Sequence, residues 1–303
     1  MSHASIGKAS CLPADLFARA QEIARGVAAA HAASVDRDAR FPTETFAALK
    51  DAGVLSAAVP VEWGGAGAGM RDLVAMCGAV AEACGSSGMV LAMHHIQVAC
   101  IARHGAESPF FRRYLQEISD RQLLLASITS EVGTNGDTRS SICAIEREGD
   151  RFRLVKKATT VSYGEAADDL LVTCRRTAES PASDQILVLA RDGQYALERT
   201  GNWDTMGMRG TCSPPYTFTA AGPEEQVVPG LFADSAAQSM VPFSHILWSA
   251  VWLGIATDAV ARASAFVRAE ARKKPGTTPP NAHCLAEASV MLQTFRHNAG
   301  GRR

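Results

Sequence analysis

The spacing of apolar residues changes period twice along this chain, and that constrains the fold more than any single motif. Up to about residue 122 the apolar positions recur at helical spacing, as in MRDLVAMCGAVAEACG and SGMVLAMHHIQVACIARHG. From there to about residue 220 they alternate in short runs such as SSICAIE, RFRLVKKATTVS, DDLLVTCRRT and DQILVLA, parted by Gly, Asp and Ser. Helical spacing returns after VVPGLF, over 240–274, and again over 281–297 beyond the KPGTTPPN break. No helix-length stretch separates the strand runs, so the centre is expected to be an antiparallel sheet or barrel and not a series of βαβ units. EGDR and RDGQ are read as hairpin-type turns.

The expected architecture is therefore α+β and multidomain. Residues 1–122 form an all-helical N-terminal domain, 123–235 a central antiparallel β-barrel or sheet domain, and 236–303 a partial, truncated C-terminal helical bundle. A length of 303 residues, 47% of them hydrophobic, suffices for more than one core. Thirty basic residues against 31 acidic ones leave a formal charge of −1, without a basic tract, which argues against nucleic acid as a partner. The eight cysteines, Cys11 among them, include no CxxC pair. No basic and apolar leader opens the chain, and the expected location is the cytoplasm. MVPFSHILWSAVWLGIATDAVA is read as a buried helix and not a membrane span, since it holds His245 and runs into charged helical text.

Several chemistries lack their motifs. No GxGxxG opens a helix after a strand, and GxxxxGK[ST], GxSxG and HExxH are absent. His94 and His95 are adjacent, so on a helix they point roughly 100° apart and make a poor metal pair. No metal site is expected.

Three stretches carry a positive signal, in order: SEVGTNGD at 130–137, ATTVSYGE at 158–165, and GMRGT at 207–211. Together with FPTETFAALKDAGVLSAAVPVEWGG upstream, they resemble the acyl-CoA dehydrogenase family of flavoproteins. The first is similar to the family's T-E-P-x-x-G-S-D, keeping Glu131 and Asp137 while Val132 and Gly136 replace the proline and serine. The second is similar to K-x-W-I-T/S-N-x-G, with Thr160 in the aromatic slot. The resemblance implies that FAD lies along Thr129 and Ser130, that Thr160 faces the ring, and that Ser162 places a hydroxyl near N5. Gly133 and Gly136 would let the loop approach closely, and Glu131 would organise the loop.

The same resemblance implies α,β-dehydrogenation of an acyl-CoA or related thioester, an electron-transfer partner, and a homo-oligomer, dimer or tetramer. The reaction needs a base for the α-proton. At one of the family's base positions the chain reads Phe243-Ser244-His245-Ile246, leaving His245 as the weak candidate, and Pro275 stands in the aromatic slot of the later R-x-x-F-G motif. Flavin binding with little dehydrogenase turnover is expected. Two alternatives stay open: a flavin-dependent monooxygenase of the same fold, with His94 able to approach the flavin, and an interaction protein without turnover. Apolar stripes carrying Trp248, Trp252 and Ile255, and then Val290, Met291 and Phe295, support the oligomer expectation.

Overall fold

The computed structural model describes residues 13–300, so Cys11 lies outside the described residues. The chain opens with α1 (Pro13–Ile23) and α2 (Ala29–Arg37), joined through a wide helical turn at Ala24–Ala28. Leu16, Ala20, Ala24 and Ala28 recur every fourth residue and bury one stripe. Next come α3 (Thr43–Asp51), α4 (Met70–Ala83), α5 (Gly85–His104) and α6 (Pro109–Arg121). Gly53, at φ +78°, turns the chain out of α3 in a conformation that suits glycine.

Helix α5 is buried on nearly every side, from Ser86 to Ala92 and from His94 to Ile101. It packs against α4, α6 and the first strand, and its N-terminal end meets the GMRGT turn. Its close contact with α4 depends on Gly88, where an added Cβ would come within 2.4 Å of the Ala81 Cβ.

Seven strands follow: β1 (Leu125–Ile128), β2 (Glu146–Glu148), β3 (Arg151–Ala158), β4 (Asp169–Arg175), β5 (Gln185–Arg191), β6 (Tyr195–Arg199) and β7 (Tyr216–Pro223). They make two sheets, ordered β1-β4-β5 and β2-β3-β7-β6. The expectation of a purely antiparallel centre needs correction: β1 pairs with β4 in parallel, Leu125 opposite Asp169 and Ile128 opposite Val172. No crossover helix is required, because β2 and β3 lie in the other sheet and bring the chain back to β1 in the same direction. EGDR does form the β2–β3 hairpin. RDGQ does not; it carries the chain from β5 in one sheet to β6 in the other.

After α7 (Phe232–Ser235) the chain enters the long α8 (Val241–Lys273), then α9 (Ala282–Gly300). Helix α8 packs on α4, α5 and α9. Its crossing with α4 is a backbone contact: a Cβ on Gly254 would lie 2.4 Å from the Gly78 carbonyl oxygen and 2.9 Å from the Glu82 nitrogen. The reading of α8 as a buried helix needs a second correction. Only one stripe, with Ser244, Leu247, Ala250, Val251 and Gly254, is inside, while Trp248 and Trp252 are exposed. By length and composition alone the segment Phe232–Lys273 could cross a membrane; its one buried stripe is that of a helix packed on others.

His94 fastens the helical block to the sheets. Its Nδ1 accepts the Leu125 N–H at 3.1 Å, so its Nε2 carries the proton and donates to the Leu55 carbonyl at 2.7 Å. Burial pushes its pKa down from 6.5 to about 4, and burial pushes neighbouring His95 down as well. A histidine held neutral in the fold gains its proton on unfolding. Stability is therefore intact above pH 6.5 and declines as pH falls from there toward 4. The thermal midpoint of the wild type is expected to fall across that window. In His94→Gln it should start lower at pH 8 and fall less steeply, as read by circular dichroism; equal slopes would contradict the assignment.

Candidate functional site: a donor edge where the two sheets meet

Strands β1 and β3 belong to different sheets, and their C-terminal ends come together. Ser130, two residues beyond β1, lies with its Oγ 3.2 Å from Thr160 Oγ1, two residues beyond β3. The Thr160 N–H donates to Ser130 Oγ at 3.1 Å, and Val132 N–H donates to the Lys157 carbonyl at 2.9 Å. Thr129, Ser130 and Thr160 thus share one edge. Ser162 is tied to the same region through Ser213, whose Oγ is 2.9 Å away. Tyr163 sets its direction: φ is +42°, the Tyr163 N–H reaches the Thr211 carbonyl at 2.7 Å, and its hydroxyl donates to the Leu125 carbonyl at 2.8 Å. Among the described residues the N–H groups of Ser130 and Ser162 have no partner.

The two remaining candidates are exposed. Gly136, at φ +83°, lies in an exposed loop with nothing within 4 Å of where a Cβ would sit. His245 stands exposed on α8, whose main packing partners are helices. His94 is committed at both ring nitrogens, so it is a structural clasp here. The methionines on either side of Gly207 differ: Met206 is 98% exposed and Met208 is partly buried. Among the described residues no three His, Cys, Asp or Glu side chains converge as a metal site.

Beneath the edge lies a buried ion pair. Lys156 Nζ is 3.6 Å from Glu131 Oε2, and neither side chain is more than 4% exposed. The Lys156 ammonium donates to the Thr173 carbonyl at 2.7 Å and its hydroxyl at 3.0 Å, with the Thr129 carbonyl at 3.5 Å. Glu131 accepts from Ser141 Oγ at 2.7 Å and from the N–H groups of Ile142 at 2.9 Å and Cys143 at 2.6 Å. Burial alone would raise its pKa, but these donors and Lys156 together hold it below the usual carboxylate range. The pair closes the 131–143 loop and fixes the Thr129–Ser130 strand end. Sequence reading missed Lys156. The signal lay in strand phase, because β3 buries Phe152, Leu154, Lys156 and Ala158 on one face, and a lysine there needs a partner.

The GMRGT turn docks the edge onto the helices. A Cβ on Gly210 would lie 2.3 Å from Val35 Cγ1 and 3.1 Å from the Arg40 carbonyl oxygen. Arg209 forms an ion pair with the Asp36 carboxylate and donates to the Asp36 carbonyl at 2.7 Å. Beside the turn opens a pocket of about 380 Å³, with Val35, Met208, Trp252 and Ile255 among its apolar walls.

Helices, two sheets and helices again, with hydroxyl and amide donors at the seam between the sheets, define a fold of the acyl-CoA dehydrogenase type. The comparisons agree. Residues 14–120 match the family described as acyl-CoA dehydrogenase, N-terminal domain, and the chain as a whole is similar to proteins of the acyl-CoA dehydrogenase fold. It is 30% identical over 239 residues to the amino sugar nitrososynthase DnmZ of Streptomyces peucetius, covering 74% of this chain and 56% of that protein. It is 27% identical over 185 residues to mitochondrial isovaleryl-CoA dehydrogenase of Pongo abelii, covering 59% and 44%. FMN-bound TdsC from Paenibacillus sp. A11-2 superposes with a TM-score of 0.82 at 20% identity, over 94% of this chain and 74% of that one. The chain thus spans about half the length of the curated relatives it matches.

Removing one member of a buried ion pair costs about 3–5 kcal/mol, because the other charge is left uncompensated. Glu131→Gln and Lys156→Met are each expected to destabilise by about that much in urea unfolding. The double variant should recover a large part of the loss; strictly additive effects would show that the pair is not coupled.

Proposed function

We propose that the chain is a flavin-dependent oxidoreductase, and that the reduced flavin acts with O₂ on a small substrate, as in a monooxygenase. One observation carries the reading: a seam of donors beside which the two acids adjacent in sequence, Glu131 and Glu165, are held by other partners. The free N–H groups of Ser130 and Ser162, with the Thr160 and Ser162 hydroxyls, suit the carbonyl oxygens and ring nitrogens of an isoalloxazine edge. The acids adjacent in sequence are occupied elsewhere. Glu131 faces its loop, and Glu165 accepts the Tyr216 hydroxyl at 2.7 Å. These residues can orient a flavin and stabilise charge on it, but they offer no base for an α-proton. When bound, the flavin would supply two-electron transfer and oxygen activation. Thr160, small and exposed, leaves room over the strand ends.

The relatives support this direction. Alongside the nitrososynthase, SfnC of Pseudomonas putida, described as a "probable FMNH2-dependent monooxygenase", aligns at 24% identity over 79% of this chain and 59% of that protein. A second reading, dehydrogenation of an acyl-CoA with FAD and an electron-transfer partner, is supported by the family of residues 14–120 and by the isovaleryl-CoA dehydrogenase relative. We also infer self-association through the α8–α9 face, where Phe266, Val290 and Met291 are 55%, 67% and 71% exposed.

Titration of the purified protein with FMN and with FAD is expected to give saturable uptake of at least one. Supplied with reduced flavin, the protein should consume O₂, and anaerobic mixing with short, branched and long acyl-CoAs should leave the oxidised flavin unbleached. Rapid bleaching by any thioester would establish the dehydrogenase reading instead. Light scattering at micromolar concentration should give a mass above that of one chain; a monomer would refute the self-association.

A further inference from the structure

At the start of α5 the chain leaves hydrogen-bonding capacity unused. The first turn of an α-helix carries N–H groups without intrahelical acceptors. At Gly85 and Ser86 no side chain takes their place, because Cys84 precedes the helix in an extended conformation and gives no side-chain cap. Ser86 is 7% exposed, and its hydroxyl has no partner among the described residues. A hydroxyl so enclosed and left unpaired carries a cost.

These groups belong to the wall of the pocket beside the GMRGT turn. Gly85 and Ser86 line it together with Val35, Met208, Trp252 and Ile255. A Cβ on Gly85 would lie 3.0 Å from Ile255 Cδ1 and 3.7 Å from Met208 Cε, so the bare backbone of the first turn stands directly against two apolar walls. Trp252, 46% exposed, adds a flat aromatic wall. Asp36, the charged residue of the lining, is neutralised by its ion pair with Arg209. What stays unpaired is a set of donors, two N–H groups and a hydroxyl. They sit at the head of a 20-residue helix, where the aligned peptide dipoles favour negative charge.

We propose that this pocket binds a small carboxylate with a flat apolar body of two fused rings. The carboxylate accepts from the N–H groups of Gly85 and Ser86 and from the Ser86 hydroxyl, and the rings lie among Val35, Met208, Trp252 and Ile255. The size follows from volume. A cavity of about 150 Å³ holds one benzene ring, and this pocket has about 380 Å³. None of Thr129, Ser130, Thr160 and Ser162 lines it, so it is a site apart from the donor edge, and the inference stands without the flavin reading.

The test is calorimetric titration of the full chain at pH 8 with 2-naphthoate and with uncharged 2-naphthalenemethanol. Naphthoate is expected to bind saturably, one per chain, and about tenfold tighter than the alcohol, since hydrogen bonds to a charged group are the stronger kind. Ser86→Ala should weaken naphthoate by about tenfold and leave the alcohol nearly unchanged. The thermal midpoint of unliganded Ser86→Ala should match or exceed that of the wild type, because its hydroxyl has no partner in the chain to lose. Trp252→Ala removes a wall and should weaken both compounds alike. An absence of saturable naphthoate uptake would overturn the proposal, as would equal affinity for the alcohol or wild-type affinity in Ser86→Ala. Displacement of naphthoate by FMN or FAD would move its binding to the flavin edge and overturn the proposal as well.

Discussion

The burial of α5 is the constraint on which the remaining architecture depends. A helix enclosed on nearly all sides must satisfy every polar side chain it takes inside, or carry the cost. His94 shows the first outcome, with both ring nitrogens paired to neighbouring backbone. His95 shows the second, since neither of its ring nitrogens has a partner among the described residues. Through His94 the helix fixes Leu125 at the start of β1, and through its N-terminal turn it meets the GMRGT segment. The donor edge at the end of β1 is thus positioned from a helix that does not itself form the edge.

Much of the fold was legible because periodicity is a local property. The helix-to-strand change near residue 122 falls between the end of α6 at Arg121 and the start of β1 at Leu125. Strand pairing was less legible, because it depends on which segment returns beside which. The parallel β1–β4 pair and the passage of RDGQ between sheets are long-range facts that alternation cannot encode. The one-sided burial of α8 escaped for a related reason: an apolar helix reads the same whether its partners cover one stripe or all of it.

The site was legible in part, and the division follows chemistry. The hydroxyls at 129, 130, 160 and 162 stood out because they cluster at strand ends, where the structure brings them together. Lys156 did not stand out, since a lysine beside another lysine in RLVKKA looks like a solvated pair until the phase of β3 is known. Gly136 was chosen for backbone freedom, and it has that freedom, in an exposed loop. Glycine marks where a chain can bend or come close; it does not say which of these is being used.

The Gly78–Gly254 crossing lets the backbones of α4 and α8 touch with no side chain between them at that point. A joint of that kind asks little of the residues on the far side of α8. Substitutions at Trp248, Trp252 or Phe266 can then accumulate without loosening the helix from its seat. The outer face of α8 is accordingly left to take on neighbours of its own while the inner joint stays fixed.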